Sequence, residues 1–211
     1  MTGLTLLTLP PSPHNTKVRL ALKLKALDFE TVLVGFEDRS AVVERSGQPL
    51  TPVLIDGERV VYDSFGIMRY LDANWPEPRL FSEEREKQRE IEAWERFAVA
   101  ELGGALGLVA GQLFSGKIDD EATRQAQKLL DALPERVEDA LADSDYLMGA
   151  RPNAADLTVM PFLIYAATSP TEYPEGTPMR FVAERLELSA RFTLTRAWIE
   201  RVRAIDLAPA A

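Results

Sequence analysis

The chain has no cysteine and only one histidine, His14, in 211 residues. Without thiols there is no disulfide, no thiolate zinc site and no redox cycle on the protein's own sulfur, although thiol chemistry on a bound small molecule stays open. A histidine-built metal site or a Ser–His–Asp triad is a poor fit as well. His14 lies two residues from Ser12, too close to act as its base without a special turn. Basic charge is also short. The formal net charge is −9, and residues 1–75 hold eight Lys/Arg against nine Asp/Glu, so almost all the excess acidity falls in the remainder. No basic stripe appears, which leaves nucleic acid and anionic membranes without an electrostatic anchor. No stretch reads as the roughly 18 to 20 apolar residues that a membrane span requires. "MTGLTLLTLPP" lacks the cationic start and the apolar length of a signal peptide. The expectation is a cytoplasmic protein that binds neither membrane nor nucleic acid.

What is present is an ordinary globular mixture, 46% hydrophobic and 27% charged, with enough chain for one large domain or two small ones. "LTLLTL" (4–9) reads as a strand stopped by Pro10 and Pro11, and apolar residues then recur at helical spacing from Thr16 to Leu27 among four basic side chains. "FETVLVGF" (29–36) is a second strand and "AVVERS" (41–46) a short helix. Two β-rich runs flank Asp56-Gly57 as a hairpin, and Ser64 is placed as the cap of the next helix. This βαβ-ββα order predicts an α/β domain over residues 1–75, a proline-bearing linker over 76–83 and an all-α domain over 84–211. Within the latter, 83–114 and 119–143 are periodic, with Pro134 a break. Asn153 and Asp156 form a capping-box variant ahead of 154–167, 169–178 is a loop, and 191–205 is a last helix. Gly103, Gly107 and Gly111 recur every four residues and so share one helix face, a smooth stripe that suits close packing against a neighbouring helix or a second copy of the chain, or leaves space for a small molecule.

Three blocks stand at boundaries already drawn: "SPHNTKVRLAL", "TPVLIDGERVVYDSFGIMRYLD" and "YLMGARPNAADLTVMPFL". Together, and in this order, they resemble the cytosolic glutathione transferase family over nearly the whole chain. The resemblance implies a thioredoxin-like domain followed by a helical one, glutathione as co-substrate, no metal, a small electrophile held between the domains, and a homodimer.

It also implies roles for residues. Ser12 stands at the thiol-contacting position of a Ser-type enzyme. Lowering a thiol pKa by about two units from about 8.5 takes about 2.7 kcal/mol of preferential anion stabilisation. One hydrogen bond to a charged group supplies roughly 1.5–3 kcal/mol, so a hydroxyl aided by a helix N-terminus can be enough. The plain alternative is that Ser12 only caps its helix. Pro52 matches a cis-proline, with Thr51, Pro52 and Val53 offering backbone to the cysteinyl unit, and Asp63 and Ser64 match the γ-glutamyl site at a helix start. The family's polar residue ahead of the proline block is Leu50 here, with Gln48 as a nearby substitute for holding the glycyl end. Asn15 stands where dithiol relatives carry a second cysteine, and His14 reads as an exposed turn residue. Two other readings remain at this point: a non-catalytic ligand-binding or structural protein of the same fold, and a glutathione-dependent isomerase or dehalogenase.

Overall fold

Prolines and β-propensity set the first strand, β1 (Leu4–Thr8), in the computed structural model, which describes residues 3–207. β2 (Phe29–Leu33), β3 (Val53–Asp56) and β4 (Arg59–Tyr62) complete a four-stranded sheet in the order β2-β1-β3-β4. β1 runs parallel to β2, with Leu4 opposite Phe29, and antiparallel to β3, with Leu7 opposite Val53. As a central strand β1 is covered on both faces. Leu7 packs with Val34, Val42 and Val53, while Leu6 and its cross-strand partner Leu54 are fully buried. Each such side chain contributes about 1.5–3 kcal/mol of burial.

The hairpin turns one residue later than the sequence suggests. Asp56 is still paired, with Arg59, and the two central residues are Gly57 and Glu58. Gly57 takes φ +59°, the positive φ that a type II′ turn needs at its first central position. The first helix, α1 (Pro13–Leu24), starts three residues earlier than Thr16, because proline at the first helical position loses no bond it could have made. α2 (Ser40–Ser46) follows as expected, and α3 (Ser64–Asn74) begins with Ser64 as its first helical residue. Two lysines that the periodicity placed between apolar residues are buried. Lys25 donates through Nζ to Asp72 at 2.9 Å and to the carbonyls of Trp75 and Pro78, and Lys17 lies 3.2 Å above the Phe65 ring.

The remaining elements are helical. α4 (Arg85–Phe97) passes through a π-helical turn, Ala98–Leu102, into α5 (Gly103–Ser115). This 31-residue run is, by length and composition, apolar enough to cross a membrane, which corrects the expectation that no stretch is; the core helix of a water-soluble protein meets the same criterion. The glycine stripe on α5 divides. A Cβ on Gly103 would lie 3.2 Å from Phe162 and 3.3 Å from the Ala98 carbonyl, whereas Gly107 and Gly111 have nothing within 4 Å. Of the three, only Gly103 is packed so closely within the described chain that a Cβ would crowd its neighbours.

α6 (Asp120–Leu130) and α7 (Glu135–Ala140) are separated at Pro134, which occupies the N-cap of α7. α8 (Ala154–Ala167) precedes a 3₁₀ turn at Pro170–Glu172 inside the expected loop, then α9 (Pro178–Ala183), which the sequence did not signal, and α10 (Thr193–Leu207). The chain falls into two units: residues up to Arg85 with the stretch from Arg203 onward, and Glu86–Val202. In the first unit Arg19 on α1 binds Asp206 with three hydrogen bonds, Nε to Oδ1 at 2.9 Å and to Oδ2 at 3.1 Å, and Nη2 to Oδ2 at 2.7 Å.

The capping box is formed. Asn153 accepts from the Ala155 amide at 2.9 Å, and Asp156 Oδ2 accepts from the Asn153 amide at 3.0 Å. Asp156 Oδ1 accepts from the Leu147 amide at 2.9 Å and from Trp198 Nε1 at 2.8 Å. Burial pushes this carboxyl's pKa up, opposed by those hydrogen bonds. Asp156→Ala strands three donors, each costing about 1–3 kcal/mol when buried and unpaired. Urea unfolding should therefore show a loss of about 3 kcal/mol or more, and a loss below about 1 kcal/mol would contradict this assignment.

Candidate active site

Ser12 sits where β1 ends and α1 begins. Its amide donates to the Leu9 carbonyl at 3.2 Å, and its carbonyl accepts from the Asn15 and Thr16 amides at 3.0 Å each. The backbone is thereby fixed on both sides. It occupies the N-cap with φ −92° and ψ 126°, yet its hydroxyl makes no capping hydrogen bond. The residue type that normally satisfies the first amides of a helix leaves its oxygen uncommitted to them, beside the positive end of α1.

Asn15 makes the corner rigid. Wholly buried, its Oδ1 accepts from the Thr8 hydroxyl at 3.0 Å and from the Leu9 amide at 3.2 Å, and its Nδ2 donates to Thr51 Oγ1 at 3.2 Å. One amide thus joins the end of β1, the first turn of α1 and the residue ahead of Pro52. The Thr51–Pro52 peptide is cis, Pro52 and Val53 are buried, and Val53 pairs with Leu7 and Tyr62. The sequence contained Asn15 as a polar residue on the buried side of α1, but nothing local revealed its partner 36 residues away.

At the start of α3 the cap differs from expectation. Asp63, not Ser64, is the N-cap, and its carboxylate accepts from the Gly66 amide at 3.2 Å. Asp63 has φ +66°, in the left-handed region that non-glycine residues seldom occupy and that Asp tolerates better than most. Such strain clusters at functional sites. Ser64 is the first helical residue, only 4% exposed, with Oγ 3.3 Å from His14 Nδ1.

His14 is therefore not an exposed turn residue. It lies in the first turn of α1, partly buried, facing the first turn of α3. Burial lowers its pKa, the nearby Lys17 lowers it further, and Asp63 raises it in part. Gln48 is occupied close to home. Its Nε2 donates to Ser46 Oγ at 2.9 Å and to the Leu50 carbonyl at 3.0 Å, while its Oε1 accepts from the Leu50 amide at 2.7 Å. Leu50 is 72% exposed.

The His14 environment fixes a pH effect. Between the ordinary value of 6.5 and the lower folded value, the unfolded chain binds more protons, so stability rises with pH across that window. Unfolding free energy should fall as the protein is taken from neutral into mildly acidic solution, and His14→Gln should flatten that slope. Superimposable pH–stability curves for the two proteins would show that the imidazole is not held in the neutral form.

The model for the glutathione S-transferase N-terminal domain matches residues 6–79, and that for the C-terminal domain matches 119–201. The probable maleylacetoacetate isomerase of Vibrio cholerae serotype O1 is 27% identical over 187 residues, covering 83% of this chain and 87% of that one. Glutathione S-transferase Z2 of Arabidopsis thaliana is 38% identical over 76 residues, 34% of each chain. A glutathione transferase family member from Pseudomonas fluorescens, solved with two glutathione molecules bound, shares the fold with a TM-score of 0.74 over 99% of this chain and 94% of that one, at 18% identity. With the N-terminal model ahead of the C-terminal one and most of the chain matched between them, this protein belongs to the glutathione S-transferase family.

Proposed function

We propose that the protein is a glutathione transferase of the Ser type, in which Ser12 holds the thiolate of bound glutathione for attack on a small electrophile. One observation carries this reading: a serine fixed at the N-cap of α1 whose hydroxyl makes no capping bond. The hydroxyl donates to the sulfur anion, and the N-terminal amides of α1 add favourable potential. The thiolate's electron pair then forms the new carbon–sulfur bond, and the leaving group departs or the unsaturated acceptor takes up a proton.

Around that centre, the backbone of Thr51 pairs with the cysteinyl unit beside Pro52 and Val53, as an added strand would. Ser64 and the first amides of α3 take the γ-glutamyl carboxylate, and Asp63 faces the α-amino group. The glycyl end has less to hold it, because Leu50 is apolar and the Gln48 amide is engaged within its own loop. Modest affinity for glutathione follows. A homodimer, a cytoplasmic location and a role in detoxification belong to the same reading.

A second reading has a specific observation in its favour. The Vibrio cholerae relative is named as a probable maleylacetoacetate isomerase, and the match covers most of both chains. In that case the thiolate adds across the substrate's double bond, the resulting carbon–carbon single bond rotates, and elimination of the thiolate restores the double bond in the other geometry, so glutathione is returned unchanged. Counting free thiol before and after turnover separates the two, since conjugation consumes it and isomerisation does not. In either chemistry Ser12→Ala removes one hydrogen bond to an anion, about 1.5–3 kcal/mol, and should lower kcat about 10- to 100-fold at neutral pH. A variant as fast as the wild type would remove Ser12 from the mechanism.

A further inference from the structure

Side-chain contacts join the first turns of α1 and α3, among them His14 Nδ1 3.3 Å from Ser64 Oγ and Lys17 Nζ 3.2 Å above the Phe65 ring. His14 and Lys17 are three residues apart on one face of α1, and Ser64 and Phe65 are consecutive at the start of α3. From this geometry we infer that His14 is a positioning residue for the α3 carboxylate site, donating its Nδ1 proton to Ser64 Oγ so that the Ser64 hydroxyl proton turns toward a bound carboxylate. The inference rests on the reading of α3 as the site of the glutathione γ-glutamyl carboxylate.

The argument is one of hydrogen-bond polarity. A neutral imidazole carries one proton, on either Nδ1 or Nε2. With the proton on Nε2, Ser64 must donate to Nδ1 and presents only lone pairs outward, which a carboxylate repels. With the proton on Nδ1, the serine oxygen accepts from His14 and its own O–H is released as a donor. A docked carboxylate therefore selects the Nδ1–H tautomer. The charged groups facing His14 are Lys17 on its own helix and Asp63 at the mouth of α3. Burial and Lys17 oppose a second proton, and Asp63 only partly offsets them, so the ring stays neutral near pH 7 and the tautomer rather than the charge carries the information.

Because His14 is the only histidine in the chain, its imidazole nitrogens give an unambiguous NMR signal in ¹⁵N-histidine-labelled protein. The probe is S-methylglutathione, which keeps both carboxylates but has no thiol, so the readout is independent of Ser12. In the saturated complex at neutral pH, Nδ1 is expected in the protonated chemical-shift range and Nε2 in the unprotonated range; the reverse pattern overturns the inference. Calorimetry on the same material adds a second measurement. His14→Leu should weaken S-methylglutathione binding about tenfold, and His14→Gln, which can still donate to Ser64, should recover most of that loss. An unchanged dissociation constant in a folded His14→Leu protein also overturns the inference. If wild-type protein binds no S-methylglutathione at all, the glutathione-site reading itself fails and this inference falls with it, an outcome distinct from binding with the wrong tautomer.

Discussion

A single buried amide holds the working corner of this molecule together. Asn15 bonds to the Thr8 hydroxyl, the Leu9 amide and the Thr51 hydroxyl, so the end of β1, the start of α1 and the residue before Pro52 cannot shift independently. Each of those groups would cost about 1–3 kcal/mol if left buried and unpaired, which makes the arrangement close to all-or-none. At the same corner the Ser12 backbone is held by its own bonds to Leu9, Asn15 and Thr16, and its hydroxyl makes no capping bond to the helix.

The second element of the account is electrostatic. α1 and α3 each bring a helix N-terminus, equivalent to roughly half a positive charge, to neighbouring positions of the first unit. The buried Lys17 amine lies over the face of the Phe65 ring. An anion is the natural complement of such a set. Asp63 partly offsets this by raising the His14 pKa, and one oxygen of its carboxylate caps α3, in a backbone conformation that few residues tolerate. A thiolate at Ser12 and a carboxylate at Ser64 would place two negative groups of one ligand against two positive helix ends.

Features encoded over short separations were legible in the sequence. The Asn153–Asp156 capping box, the strand stopped by prolines and the break at Pro134 are written within a few residues of where they act. The helix start at Pro13, the Asp63 cap and the turn centred on Gly57 and Glu58 were displaced by one to three residues, because local propensity does not fix the boundary between adjacent candidates. Long-range pairings were invisible. The His14–Ser64 contact spans 50 residues and the Lys25–Asp72 pair 47, and a lysine placed between apolar helical positions looks the same in sequence whether it reaches solvent or a buried acceptor. Similarly, the glycine period on α5 did not show that Gly103 packs against Phe162 while Gly107 and Gly111 lie open. The positions of the candidate site came from family motifs, whereas the partners that hold those residues came only from the structure.

The central claim is that this corner stabilises a sulfur anion. Following the ultraviolet absorbance of the thiolate in the enzyme–glutathione complex as a function of pH measures that stabilisation directly. The account predicts an apparent pKa for the bound thiol about two units below the free value of about 8.5. A bound thiol that titrates where the free thiol does would contradict it.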